Sequence, residues 1–308
     1  MGFERVKGQD LTLETLKRTL QQDQIPHAYL FSGPVGSGKN MLSTLFAQAL
    51  NCEHGSEPPC GHCLSCRKTV SGNHPNVIRL VPQGASLKIE QVRDIQERLH
   101  YQPGEGRWKV CLIHDADRLT LPAANSLLKI LEEPPGELVF ILLSPRPWLL
   151  LPTIISRCSH FNMKPLDGES ILAILRERFA LSTEEQQVIV ELAGGNPGQA
   201  IEMADRGGWM EKYDEIRELV QEIERGSGIQ LFSRAEDVSK RDNINEMLDL
   251  LFVFYREKWL TASRAPGQHA FSLEKICRAV LQTKDELMGN VNRRLALEAL
   301  FLKMRGVV

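Results

Sequence analysis

The stretch 33–40 reads Gly-Pro-Val-Gly-Ser-Gly-Lys-Asn, directly after the apolar run Ala28-Tyr29-Leu30-Phe31 and before a helical pattern over 41–50. A strand that runs into a glycine-rich turn and then a helix surrounds an anion with backbone N–H groups and a helix N-terminus. Gly36 and Gly38 let the backbone come close to a phosphate, and Lys39 reaches the β- and γ-phosphates. The pattern G-x-x-x-x-G-K-[ST] is met at Gly33, Gly38 and Lys39 and broken at Asn40, where a Ser or Thr hydroxyl would ligate magnesium. Gly33, Gly36, Ser37, Gly38, Lys39 and Asn40 are therefore candidate residues for ATP or ADP, held weakly or not at all. The break at Asn40 argues against hydrolysis.

This loop commits the first part of the chain to stacked β-α units and a parallel sheet. Further apolar runs at 77–81, 109–113 and 138–143 supply strands. A helix over 86–99 is expected from Ile89, Val92, Ile95 and Leu99, and others over 123–131 and 148–156. Gly104 and Gly106 mark a turn, and Pro134-Pro135 stop a helix. Beyond 166 the strand signals cease. Ser182 and Glu185 form a capping box whose helix ends at Gly194-Gly195. From 209 onward the pattern is helical, with breaks at 226–228, Asn243 and Pro266-Gly267. The expected class is α/β: a nucleotide-binding domain over 1–165, a small helical lid over 166–207 and a larger all-helical domain over 208–308.

With 37 basic and 39 acidic residues the net charge is −2, which excludes holding nucleic acid by bulk electrostatics. No apolar run approaches the ~20 residues of a membrane span, and the N-terminus has no signal-peptide core. A cytosolic location is expected, so the seven cysteines are not read as a disulfide framework.

A hydrolysing site also needs an acidic pair after another strand, one carboxylate for magnesium and one for the attacking water. Val110-Cys111-Leu112-Ile113-His114-Asp115-Ala116-Asp117 is the candidate. In one register His114 and Asp115 take the two places; shifted by one, Asp115 and Ala116 do. Neither is a carboxylate pair, so Asp115 is a degenerate acidic residue. Asp117 is expected in a loop or helix cap, and His114 as a structural polar group.

Cys52, Cys60, Cys63 and Cys66 form C-x7-C-x2-C-x2-C. Thiolates two residues apart in a turn, here helped by Gly61, clamp one tetrahedral zinc; four of them close the site and make it structural. His54, His62 and His74 are alternative ligands, and redox cysteines or a chance cluster are the competing readings. Cys111, Cys158 and Cys277 are isolated and expected in cores.

After the strand at 138–143 come Ser144 and then Leu151-Pro152-Thr153-Ile154-Ile155-Ser156-Arg157-Cys158. The Ser-Arg-Cys triplet resembles the bacterial clamp-loader branch of the AAA+ ATPases. So do the cysteine module after the phosphate-loop helix, Leu127-Leu128-Lys129-Ile130-Leu131-Glu132-Glu133-Pro134-Pro135, and Gly8-Gln9 followed by His27-Ala28-Tyr29-Leu30. The likeness is dense over the first ~200 residues and looser beyond, chiefly at 290–302. It implies an AAA+ domain, a lid and a helical collar that builds a ring. It also implies that Arg157 is an arginine finger, acting on the γ-phosphate in a neighbouring subunit, with an arginine salt-bridged on its own domain as the competing reading. The family's lid carries a sensor arginine in Gly-Ser-x-Arg; the matching Gly195-Asn196-Pro197-Gly198 has Gly198 there.

Altered magnesium ligand, acidic pair and sensor arginine point to a non-motor member, and the resemblance implies that it sits in a hetero-pentamer. Its implied partners are γ/τ-type motors and a δ subunit and, through them, a sliding clamp and primed DNA. An active motor is the alternative. A zinc-dependent nucleic-acid-binding module outside replication is the third, disfavoured by the absence of a basic, aromatic-interleaved stretch.

Overall fold

The structure is a computed structural model that describes residues 2–54, 58–100, 106–134, 136–263, 269–289 and 291–306. Gly104, Pro135, Pro266-Gly267 and Asn290, all used above, lie outside the described residues. The chain divides into two compact units, Met1–Ile174 with Gly195–Gln199, and Leu175–Gly194 with Ala200–Val308.

The first unit holds a parallel sheet of β1 (Ala28–Ser32), β2 (Val77–Leu80), β3 (Lys109–Ile113), β4 (Leu138–Ser144) and β5 (Ser159–Asn162), in the order β2-β3-β4-β1-β5. Its helices are α1 (Asp10–Gln21), α2 (Lys39–Leu50), α3 (Leu64–Ser71), α4 (Ile89–His100), α5 (Leu121–Glu132) and α6 (Pro152–Ile155). Every residue of β1 and β4 is buried, as expected of parallel strands covered on both faces. Alternation divides their side chains. Tyr29, Phe31, Leu112 and Ile141 pack with Leu16 of α1 and Leu42 and Phe46 of α2. Leu30, Cys111, Ile113 and Phe140 face Val92 and Ile95 of α4 and Leu127 and Leu131 of α5. Full burial of a side chain such as Phe46 contributes about 1.5–3 kcal/mol.

Three elements differ from expectation. Helix α4 starts at Ile89, not 86, because the backbone of Leu87 is engaged elsewhere. Its N–H donates to Arg118 O at 2.8 Å and its carbonyl accepts from Thr120 N at 3.0 Å. The 148–156 stretch is a 3-10 turn, Pro147–Leu149, followed by α6. Leu151 before Pro152 sits at φ −59, ψ 133, the extended geometry that a following proline imposes. Strand β5 was not expected, since Ser159-His160-Phe161-Asn162 has a single apolar residue. It is a half-exposed edge strand paired to β1.

Two helices cross the unit boundary along the chain, α7 (Gly168–Arg178) and α9 (Pro197–Arg206). The second unit otherwise contains α8 (Thr183–Ala193), α10 (Trp209–Arg225), α11 (Gly228–Ser239), α12 (Ile244–Ser263), α13 (His269–Met288) and α14 (Arg293–Met304). Helix α8 begins with the expected capping box: Glu185 N donates to Ser182 Oγ at 3.2 Å and Ser182 N to Glu185 Oε2 at 2.9 Å. A second box, Ser227 with Gln230, starts α11. Ile216, Leu219, Val220 and Ile223 fall on one face of α10 and are buried. Leu248 and Leu251 of α12, Val280 of α13 and Phe301 of α14 are buried as well. No helix among the described residues is long and apolar enough to cross a membrane.

Candidate nucleotide site and cysteine centre

In the strand order, β4 lies between β1 and β3, so the loops that leave the carboxyl ends of these three strands are neighbours. Ligands of open α/β sheets bind at that edge. Gly38 caps α2 in the left-handed region (φ 91), and the Lys39 side chain turns back into the loop. Its Nζ donates to Gly33 O at 2.6 Å and Pro34 O at 2.7 Å, with Ser37 Oγ at 3.4 Å. Burial lowers the Lys39 pKa, while Asp115 and Asp117 act to raise it. Asn40 is exposed in the first turn of α2, where its carbonyl accepts from Ser43 Oγ at 3.0 Å and Thr44 Oγ1 at 2.8 Å.

After β3, His114 is half-buried, and its Nε2 has no hydrogen-bond partner among the described residues. Burial lowers its pKa, Arg79 lowers it further and Asp115 opposes them. That environment favours a neutral imidazole. Asp115 sits at φ 46, and its carboxylate lies 3.9 Å from Arg118 Nε. Asp117 lies in the short 3-10 turn Ala116–Arg118 after β3, with its side chain fully buried and held by Arg146 through Nε (2.8 Å) and Nη2 (2.7 Å). Ser144 Oγ, at the end of β4, donates to it at 3.1 Å. The two acids near Lys39 are thus unequal. Asp117 is buried, with two guanidinium N–H groups of Arg146 on its Oδ2 and Ser144 Oγ on its Oδ1, whereas Asp115 keeps an accessible carboxylate.

The segment Gly195–Gln199 belongs to this unit and lies on the phosphate loop. Gly198 N donates to Gly36 O at 2.9 Å, and Asn196 Nδ2 to Val35 O at 2.7 Å. Asn196 Oδ1 accepts from Gly198 N (3.1 Å) and Gln199 N (3.2 Å), capping α9 ahead of Pro197. A Cβ on Gly198 would stand 2.6 Å from Gly36 Cα, and one on Gly36 would stand 2.4 Å from Asn196 Oδ1. The seam is backbone against backbone, with no space for a side chain at 198. Sequence reasoning missed Asn196, Ser144 and Arg146. Asn before Pro-Gly at a helix start was the signal available for the first; a pairing across 29 positions left none for Asp117 with Arg146.

Arg157 follows α6. Its Nη2 pairs with Glu132 Oε1 at 2.8 Å, its Nη1 donates to Thr153 O at 2.9 Å, and its side chain is 35% exposed. Glu132 is the last residue of α5 and is itself half-exposed, so the pair holds the guanidinium weakly, at about 0–1 kcal/mol.

The sulfurs of Cys52, Cys60, Cys63 and Cys66 all lie within 4.8 Å of one another, and none is in a disulfide. Cys60 and Cys66 Sγ are 3.9 Å apart, close to the spacing of two thiolates on one zinc with Zn–S bonds of about 2.3 Å. Backbone amides point at the sulfurs: Cys60 N to Cys52 Sγ (3.4 Å), Cys63 N to Cys60 Sγ (3.3 Å) and Cys66 N to Cys63 Sγ (3.3 Å), the last capping α3. Burial acts to raise the Cys60 thiol. The amides of Cys63 and His62 and the neighbouring thiols outweigh it and bring the group to about 6. Burial raises Cys66 and Cys52. This donor set fits one tetrahedral metal ion such as zinc. Gln48 Nε2 to Cys66 O (2.9 Å) and Ser65 Oγ to Asn51 O (2.6 Å) tie the module to α2. His74 is occupied in that seam, with Nε2 3.0 Å from Ser65 Oγ and Nδ1 accepting from Asn76 N at 3.2 Å.

Residues 8–167 match the model of the family described as DNA polymerase III, delta subunit. The delta' subunit of DNA polymerase III from Bacillus subtilis is 30% identical over 318 aligned positions, covering 96% of each protein. The tau subunit from the same organism is 28% identical over 97% of this chain, and tau from Escherichia coli is 37% identical over 66% of it. The chain spans 56% of the former and 32% of the latter. Among solved structures, the Holliday junction branch migration motor RuvB of Thermotoga maritima aligns with a TM-score of 0.50 at 16% identity, over 83% of this chain and 79% of that one, a likeness of fold. A family model matching half the chain, with a relative matched over nearly the whole length of both proteins, makes the chain a member of the DNA polymerase III delta-subunit family, the clamp-loader branch of AAA+ proteins.

Proposed function

We propose that the chain is the delta' member of a DNA polymerase III clamp loader, a stator that closes a pentameric ring and supplies Arg157 to a neighbour's ATP. Its own site binds nucleotide weakly or not at all and does not turn it over. The γ/τ-type motors do the hydrolysis. With a δ subunit they open a sliding clamp and place it on primed DNA in the cytoplasmic replisome. Zinc at Cys52, Cys60, Cys63 and Cys66 holds the module beside α2.

The observation that carries this reading is the seam of Gly198 on Gly36. The position that would deliver a sensor arginine is closed by backbone contact, so the chain is built around the arginine's absence. Asn40 in place of the magnesium hydroxyl and the lack of a second carboxylate beside Asp115, whose neighbours are His114 and Ala116, point the same way. The active-motor reading draws on Lys39, which is retained, and on the likeness to tau. ATPase assays separate the two. The stator reading expects no turnover above background from the purified chain and a rise when it joins motor subunits beyond what they reach alone. Turnover by the chain itself at a motor's rate would favour the second reading.

A further inference from the structure

We propose that His54, Cys60 and His62 form a second divalent-cation site that shares the Cys60 thiolate with the four-cysteine centre. One donor atom from each of the three lies within 4.8 Å of the other two. Cys60 Sγ is 3.7 Å from His54 Nδ1 on one side and 3.9 Å from Cys66 Sγ on the other, so it faces both sets. A thiolate carries lone pairs enough to bridge two ions. Two imidazoles and a thiolate suit zinc, cobalt(II) or nickel(II) rather than a hard cation.

The histidines are prepared for this in different ways. His62 Nδ1 is 3.0 Å from the carbonyl oxygen of Cys60, so that nitrogen carries the proton and donates it. The lone pair is thereby left on Nε2. An imidazole whose second ring nitrogen donates to a backbone carbonyl is the usual arrangement of a metal-bound histidine. His54 instead turns Nδ1 toward the sulfur. The two ring centroids are 5.0 Å apart at an interplanar angle of 49°, tilted rather than stacked.

Exposure separates the two sites. Cys63 and Cys66 are buried, whereas His54 and His62 are exposed. Three protein donors facing solvent leave a water in the fourth position, the open form of a tetrahedral site. The outer ion is therefore the exchangeable one, and it sits on the solvent side of the inner centre with a ligand in common. That is the position through which an inner ion would enter and leave.

The inference rests on the four-cysteine reading for its inner ion, and the test keeps the two apart. Reduced, metal-free full-length chain is titrated with Co2+, following the thiolate-to-cobalt and tetrahedral d–d absorption, with bound metal counted after gel filtration. Two equivalents are expected for the natural sequence. The double variant His54→Ala/His62→Ala, with all four cysteines intact and a circular dichroism spectrum unchanged, should keep one. A natural chain that saturates at one equivalent, retained in the double variant, overturns the outer site and leaves the inner one standing. Two equivalents in both proteins overturn the histidine assignment. No binding by either overturns both readings.

Discussion

The phosphate loop and the Arg157 turn lie in the same unit and treat their cations in opposite ways. Lys39 is 8% exposed, and its ammonium is spent on Gly33 and Pro34 carbonyls of its own loop. Arg157 keeps a 35% exposed side chain, with one half-exposed carboxylate and one carbonyl for partners. A buried charge whose donors are satisfied internally gains little from a ligand, since each new contact replaces an existing one. A guanidinium on a surface pair worth about 0–1 kcal/mol can leave it at small cost. The difference teaches where a phosphate would find an uncommitted partner, and each prediction below strains it at a different point.

The largest effect is expected from Arg157→Ala in a reconstituted complex. An arginine finger acting in trans is worth roughly 10³-fold or more in turnover. Steady-state ATPase of the complex should fall on that scale, with the melting temperature of the isolated chain nearly unchanged. Turnover equal to that of the unaltered complex would leave Arg157 a surface residue and erase the contrast with Lys39.

Next comes the cysteine centre, which bears on whether the loop depends on the module behind it. Cys63 is buried and both caps α3 and belongs to the sulfur cluster. Cys63→Ser, or chelation, should cost several kcal/mol locally, because metal binding free energy in such modules is folding free energy. Hydrogen exchange is expected to speed up in α3 while β1 and β4 stay protected. Uniform loss of protection would make the two regions one cooperative unit.

Gly198→Arg tests the seam directly. The first side-chain atom meets Gly36 Cα at 2.6 Å, so backbone must move, at about 1–3 kcal/mol for an overpacked site. A melting temperature lower by a few degrees is expected, without ATP hydrolysis by the chain. An unchanged melting point with tighter nucleotide binding would mean that the glycine is only a lost arginine and that the loop is open to repair.

What could be read from the sequence follows the range of the forces involved. Strands β1, β3 and β4 were legible because burial on both faces demands unbroken apolar runs, and the phosphate loop because its glycines and lysine are contiguous. The cysteine spacing announced a cluster for the same reason. Strand β5 was not legible: an edge strand needs backbone pairing with β1 but little apolar side chain, and Ser159-His160-Phe161-Asn162 has little. Leu87 was read into a helix because periodicity records side chains and not the carbonyl of Arg118 that claims its amide. The burial of Asp117 depends on Arg146, which only the adjacency of β3 and β4 brings near. The seam on Gly36 depends on a contact across some 160 residues; Gly195-Asn196-Pro197-Gly198 could be matched to a sensor motif lacking its arginine, but nothing in it names Gly36 as the partner.

The smallest effect is expected at Glu132. To serve a phosphate elsewhere, Arg157 must give up its 2.8 Å pair with Glu132 Oε1, so the pair opposes the reach by whatever it is worth. For an exposed pair that is at most about 1 kcal/mol, or roughly a fivefold change in rate. Glu132→Gln keeps the shape and a hydrogen-bond acceptor and removes only the charge, so folding should be unaffected within a few tenths of a kcal/mol. Turnover of the reconstituted complex is then expected to rise by up to that factor, most visibly at low salt, where the pair is least screened. A fall instead would reverse the role of Glu132: the carboxylate would be aiming the guanidinium at its target, and Arg157 would be as firmly positioned by its own chain as Lys39 is.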